Sequence, residues 1–188
     1  MKSKRLFIAI KIANTNQIQE IFRQVGLDLS KERIKWVNDK GLHVTLFFIG
    51  NKSVDAIPNL IHTLKIVAKQ FSGFYLSLKG LGAFPSLDSP RILWIGIDSH
   101  QNLFDLQKEI HFKLEEISEL DTYKYKPHVT IGRIKGGVKE PKNVALALAK
   151  WNEWEGEELF VKEFVLMESV LSDVGPKYEV LDTFHLNE

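Results

Sequence analysis

His43-Val-Thr-Leu-Phe-Phe-Ile-Gly50 and His128-Val-Thr-Ile-Gly-Arg-Ile-Lys135 are two β-rich stretches that open on the same three residues, 85 positions apart in a chain of 188. The same shift carries the strand start at Arg5 to Pro90, beside Arg91, and the helix cap at Asn14 to Ser99. It also carries residues 53–55 to 138–140, just before Pro141. Landmarks that agree on one offset predict a duplicated strand–helix–strand–helix–strand unit. The expected fold is α+β, with two pseudo-twofold-related lobes, each a mainly antiparallel sheet with helices on the outside, and the active-site cleft between them. The lobes are expected at about residues 5–80 and 91–171 of one domain spanning 1–188, with exchange of strands between lobes left open.

Hydrophobic spacing supplies the elements around these two stretches. Arg5–Ile12 alternates as a strand, and Asn14 or Thr15 can cap a helix carrying Ile18, Ile21, Phe22 and Val25 up to Gly26. Ile34–Val37 and Leu42–Ile49 read as strands. Ser53 can cap a helix with Ile57, Leu60, Ile61, Leu64, Ala68 and Phe71 on one face. Phe74–Lys79 reads as a strand, followed by a Gly/Pro/Ser-rich loop over Gly80–Pro90. The order then restarts. Arg91–Asp98 is a strand, and Ser99 caps a helix carrying Leu103, Leu106, Ile110, Leu114 and Ile117. Lys126–Ile134 is a strand and Pro141–Trp151 a helix with proline near its first position. Glu158–Leu171 is a long strand or a strand pair, and Tyr178–Leu186 closes the chain.

Composition removes several classes of function. With 44% hydrophobic and 26% charged residues the chain can bury a core, so collagen-like and disordered readings fail. It has no cysteine, which excludes disulfides, iron–sulfur clusters, cysteine zinc sites and thiol nucleophiles. A net charge of +1 is too small for a long grip on duplex nucleic acid, so a nucleic-acid partner is expected to be touched over a few phosphates. Leu6–Ile10 after Lys2, Lys4 and Arg5 imitates a signal peptide, but Lys11 ends the apolar run short of the roughly 7–15 residues such a core needs. The expectation is a cytoplasmic protein that makes no contact with membrane.

In a strand, residues i and i+2 share a face. His43 and Thr45 therefore project together, as do His128 and Thr130, and a twofold axis between the copies would bring the pairs face to face. Imidazole titrates near neutrality, so one ring can accept a proton while the other donates. Threonine hydroxyls can donate to phosphate oxygens. A single His-x-Thr on a strand carries little information, since core histidines are common; two copies at matching places in a duplicated unit are harder to dismiss. The arrangement suits a phosphodiester with an internal leaving group, which needs an activated water, a protonated leaving oxygen and oriented donors.

His43-Val-Thr-Leu and Pro127-His-Val-Thr-Ile-Gly-Arg133 resemble the paired motifs of the two-histidine (2H) phosphoesterase superfamily, in particular its RNA 2′,3′-cyclic phosphodiesterase branch, also called 2′-5′ RNA ligases. Arg5-Leu-Phe-Ile-Ala-Ile, Gly82-Ala-Phe-Pro85, Pro90-Arg-Ile-Leu-Trp94, Glu168-Ser-Val-Leu171 and Gly175-Pro-Lys-Tyr178 extend the resemblance over nearly the whole chain. The resemblance implies that His43 is the proton donor to the leaving oxygen, His128 the proton acceptor that activates water, and Thr45 and Thr130 phosphate binders. It also implies that O3′ leaves, giving a 2′-phosphate. The residues alone do not say which histidine plays which part.

Other candidates keep two readings each. Arg133 lies five residues from His128, an odd step that ordinary alternation points away; Gly132 could allow a bulge that re-aims it toward a ligand, or it forms a surface salt bridge. Phe48, at the same step from His43, either stacks on a base or joins the core. Tyr123-Lys-Tyr-Lys126 is a short RNA entrance or a solvated loop. Trp151 and Trp154 are expected to be packing residues. His62, His100, His111 and His185 fit no ligand spacing, so no metal or other cofactor is expected. The expected partners are RNA 3′ ends or small cyclic nucleotides, handled by a monomer. Two other functions remain open: 2′-5′ ligation at the same site, and nucleotide or RNA binding without turnover.

Overall fold

The computed structural model describes residues 2–98, 101–115, 125–170 and 177–188. In chain order these form β1 (Ser3–Lys11), α1 (Asn16–Asp28), β2 (Ile34–Trp36), β3 (His43–Ser53), α2 (Ile57–Ala68), β4 (Phe74–Phe84) and β5 (Ile92–Asp98). There follow α3 (Gln101–Leu114), β6 (His128–Ile134), α4 (Pro141–Ala149), β7 (Glu155–Val161), β8 (Glu163–Val170) and β9 (Lys177–His185). The fold is α+β, and the strands join in the order β7-β4-β5-β6-β3-β1-β8-β9, with β2 also paired to β6. Every strand pair is antiparallel.

The middle of that order is its weakest seam. β3 and β6 meet through one residue pair, Val44 opposite Val129, which are the same position of the two copies. One quartet of strands (β7, β4, β5, β6) thus turns against the other (β3, β1, β8, β9) about a local twofold axis at that pair. β4 follows α2 in sequence yet pairs with β5, and β8 follows β7 yet pairs with β1.

The helices pack on one face of the sheet and enclose the main core. Ile18, Ile21 and Val25 of α1, Leu60 and Leu64 of α2, Leu103, Leu106 and Ile110 of α3, and Val144 and Leu148 of α4 all lie within it. β1 is buried without a break from Leu6 to Ile10, because both of its faces are covered. Leu6, Ile8 and Ile10 join the main core, while Phe7 and Ala9 meet Val165, Met167 and Tyr178 on the opposite face. That opposite face carries the histidines.

Several local expectations change in the folded chain. Thr15 is the N-cap of α1, its hydroxyl accepting from the Ile18 N–H at 3.4 Å, and the helix runs past Gly26 to Asp28. Ser53 caps a short 3₁₀ turn, Val54–Ala56, that leads into α2. The loop expected over Gly80–Pro90 begins only after Phe84, because β4 continues along β5 through Leu81, Gly82 and Ala83. Its glycines have packing reasons rather than loop reasons. Gly80 has φ +62° at a register shift, and its N–H donates to the Trp154 carbonyl at 2.8 Å. At Gly82 a Cβ would stand 2.3 Å from the Trp94 indole. Glu158–Leu171 is a strand pair whose members lie toward opposite ends of the sheet. Trp151 and Trp154 pack against the main core, as expected. The caps and helix positions assigned to Ser99 and Ile117, and Tyr123 and Lys124 of the aromatic–basic run, lie outside the described residues.

Candidate active site

His43 starts β3 and His128 starts β6. Each ring is held the same way: the His43 Nδ1–H donates to the Gly41 carbonyl at 2.7 Å, and the His128 Nδ1–H to the Lys126 carbonyl at 2.8 Å. Gly41 and Lys126 are the same position of the two copies. A carbonyl cannot donate, so each bond fixes the proton on Nδ1 and leaves Nε2 as the nitrogen that can take up or release a second proton. Thr45 and Thr130 follow on the same face, both half-buried. Neither hydroxyl is taken by another described residue, so both remain available as donors.

The register then changes in both copies at one place. Along β1, Ala9 faces Thr45 and Ile8 faces Phe47, so Leu46 is an extra residue in β3. Along β5, Trp94 faces Thr130 and Leu93 faces Gly132, so Ile131 is an extra residue in β6. Each bulge resets the alternation, and the fifth residue after each histidine returns to the histidine face. Phe48 therefore leaves the core. It is 40% exposed, and its ring centroid lies 6.2 Å from Phe7, which itself stands 5.2 Å from His43. Arg133 is half-buried, and its charge bears on both histidines. It forms no ion pair with a described residue. Gly132 lets β2 close over the other face, where a Cβ would meet Ile34 Cγ2 at 2.8 Å.

Aromatic rings wall both histidines. Phe7 and Tyr178 flank His43, with centroids at 5.2 and 5.1 Å, the tyrosine edge-on. Phe84 meets His128 edge-on at 4.9 Å, and Trp94 stands at 6.3 Å. Burial among these rings is the first cause that lowers the proton affinity of each imidazole below its ordinary value. The carbonyl bonds oppose it. Positive charge adds to the lowering: His128 and Arg133 act on His43, and Lys126 and Arg133 act on His128. Two imidazoles with lowered proton affinity, sharing a sheet face with two hydroxyls and a guanidinium, have the chemistry to accept one proton, donate another and balance an anion.

A family model described as the 2′-5′ RNA ligase superfamily matches residues 12–172. The chain belongs to that superfamily. A protein of Archaeoglobus fulgidus named RNA 2′,3′-cyclic phosphodiesterase is 32% identical over 96% of this chain and 99% of its own. One of the same name from Aquifex aeolicus is 32% identical over 99% of each chain. Among solved structures, one from Thermus thermophilus superposes with a TM-score of 0.77 at 25% identity, covering 97% of both chains. Escherichia coli LigT complexed with 3′-AMP has the same fold, with a TM-score of 0.73 at 23% identity over the whole of both chains. The resemblance carried by the two His-x-Thr stretches therefore holds at the level of the superfamily.

All six residues singled out from the sequence, His43, Thr45, Phe48, His128, Thr130 and Arg133, share one face of the sheet about the Val44–Val129 pair. Sequence reading missed the rings around the histidines: Phe7, Phe84, Trp94 and Tyr178. One signal was present for Trp94, since Gly82 stands on the neighbouring strand and Gly96 on its own, and a Cβ at either would strike the indole or a neighbouring carbonyl. Among the described residues, no group of three or more His, Asp or Glu side chains is placed to hold a metal ion, and no helix is long and apolar enough to cross a membrane.

Proposed function

We propose that this chain hydrolyses 2′,3′-cyclic phosphate ends of RNA or nucleotides to 2′-phosphomonoesters, with His43 as proton donor and His128 as proton acceptor. The observation that carries the reading is the matched pair of Nδ1–carbonyl bonds, which leave two equivalent Nε2 atoms on either side of one twofold seam. An in-line displacement at phosphorus needs such opposed groups, one behind the water and one beside the leaving oxygen. Water attacks phosphorus as its proton passes to Nε2 of His128. The P–O3′ bond breaks as Nε2 of His43 gives its proton to O3′. The Thr45 and Thr130 hydroxyls donate to the non-bridging oxygens, and Arg133 balances their charge as it grows. Phe48 offers a face to the base.

Family membership at close to full length supports this reaction class. The same two histidines would serve 2′-5′ ligation, in which a ribose 5′-hydroxyl replaces water. The deciding experiment digests a nucleoside 2′,3′-cyclic phosphate and separates the isomers by chromatography. A 2′-phosphate is expected from the wild type, with His43→Ala and His128→Ala each slower by roughly 10²–10⁴-fold or more and Thr45→Ala and Thr130→Ala less affected. A predominant 3′-phosphate reverses the orientation of the ribose, and near wild-type turnover in either folded histidine variant refutes the mechanism.

A further inference from the structure

The twofold that pairs the histidines makes them nearly interchangeable, and nothing in the His-x-Thr motifs assigns one proton to one ring. The surroundings differ in charge at three positions: Arg133 stands where the other copy has Phe48, exposed Lys11 is the cross-strand partner of His43 where Gly96 is that of His128, and the third lies against the rings that wall His128. Lys126 occupies the place that Gly41 holds in the other copy. Its carbonyl accepts from His128 Nδ1 at 2.8 Å, and its ammonium lies 4.4 Å from the centre of the Trp94 ring and 5.6 Å from that of Phe84. Those are the two rings that wall His128. A cation over an indole face is held there by the ring quadrupole even where water reaches it. Gly82 gives the indole its room, since a Cβ there would overlap it. At the opposite histidine glycine supplies the carbonyl, the cross-strand partner Lys11 is exposed, and among the described residues no cation lies over Phe7 or Tyr178.

Resting on the acid–base reading above, we infer that Lys126 is a positioning residue: its ammonium, seated on Trp94 and Phe84, keeps His128 in the proton-accepting state and leaves the catalytic proton to His43. The other charged groups around His128 do not make this choice. Arg133, on the same strand, acts on both rings. His43, across the seam on β3, is the partner itself. On β5 the residue opposite His128 is Gly96, and Asp98 beyond it is engaged by Lys79 at 3.7 Å. Phe84 of β4 is uncharged. The lowered proton affinity of His128, to which Lys126 contributes after burial, agrees with this placement.

The test titrates both imidazoles by NMR in the substrate-free protein, for the wild type, Lys126→Gln, Lys126→Arg and Lys135→Gln. A single charge several ångströms away at a partly wet site shifts a pKa by about 0.3–1 pH unit. The midpoint of His128 is therefore expected to rise by that amount in Lys126→Gln and to stay near the wild-type value in Lys126→Arg. Lys135→Gln, an exposed charge change just past β6, leaves both midpoints in place. His43 is expected to move less than His128, and the acid limb of kcat/KM in Lys126→Gln moves up with His128. A role confined to the Lys126 carbonyl predicts no change in Lys126→Gln; that result, or an equal shift at both rings, overturns the inference. Absence of turnover on any cyclic phosphate by the wild type would instead remove the acid–base reading while the titrations still decide the role of Lys126.

Discussion

Gly82→Ala tests how the second histidine is held, through a residue that touches neither histidine nor phosphate. Its added Cβ would lie 2.3 Å from Cη2 and Cζ2 of Trp94 and 2.9 Å from Cε2. Ordinary contact begins near 3.4 Å, so the indole or the backbone must give by about 1 Å. The backbone at Gly82 is held by the ladder to β5, where Leu81, Gly82 and Ala83 pair with Ile95, Trp94 and Leu93, while the pairing with β7 ends at Lys79. The indole must move, and it is the wall of His128 and the seat of Lys126. Overpacking of this kind costs about 1–3 kcal/mol, a fall in Tm of about 3–9 °C for a chain of this size. A displacement of about 1 Å beside a reacting group costs up to about 10²-fold in rate. The assay measures kcat and KM on a nucleoside 2′,3′-cyclic phosphate together with a thermal scan. The expected result is a fall in kcat well beyond any change in the folded fraction at the assay temperature. A folded variant with wild-type kcat would refute the claim that the indole holds His128 in its working position.

The pH profile follows from the directions of the two shifts. The proposed mechanism takes His128 neutral and His43 charged, and both have lowered proton affinity, so both limbs of kcat/KM should lie on the acid side of pH 6.5. A bound phosphate anion favours charged His43, so the alkaline limb of kcat should stand at higher pH than that of kcat/KM; an alkaline limb of kcat/KM above about pH 7.5 contradicts this assignment. Turnover should persist in EDTA, because the mechanism draws every proton transfer from imidazole; complete loss that one divalent ion restores would show that a metal takes part.

The duplication was the most legible feature of the sequence, because a shared offset survives even where elements drift. Applied to the finished register, the shift of 85 maps Ala9–Thr45 onto Trp94–Thr130 and Phe7–Phe48 onto Ile92–Arg133. The pairing of His43 with Thr45, and of His128 with Thr130, followed from the period of a strand alone. Phe48 and Arg133 did not, since ideal alternation turns the fifth residue away. Gly132 hinted at the second bulge, but nothing in Leu46-Phe47 announces the first, because a bulge is set by the partner strand. The extension of β4 was hidden for a related reason. Gly80-Leu-Gly-Ala83 has the composition of a loop, and only the folded register explains its glycines, Gly80 by a positive φ at a shift and Gly82 by the cross-strand indole of Trp94. Lys126 could be read as part of an aromatic–basic run, but not as the cation over two particular rings.

The two copies have kept what the proton transfers require and lost likeness around it. Each histidine has its i−2 carbonyl, its threonine and its bulge, and under the proposed reaction these matched elements set no direction for the proton transfers. Direction has to come from positions where the copies differ. Ala9 stands where the other copy has Trp94, so a methyl group lies across from Thr45 where an indole lies across from Thr130. Phe48 stands opposite to Arg133 in the same sense, a ring on one side and a guanidinium on the other. Gly41 and Lys126 repeat the contrast two residues before each histidine. The exposed Phe48 ring lies on the His43 side, and the Trp94 indole, the Arg133 guanidinium and the Lys126 ammonium lie on the His128 side. In the proposed reaction an asymmetric substrate meets an asymmetric frame around a symmetric pair of imidazoles, and the frame is what would turn two equivalent bases into an acid and a base.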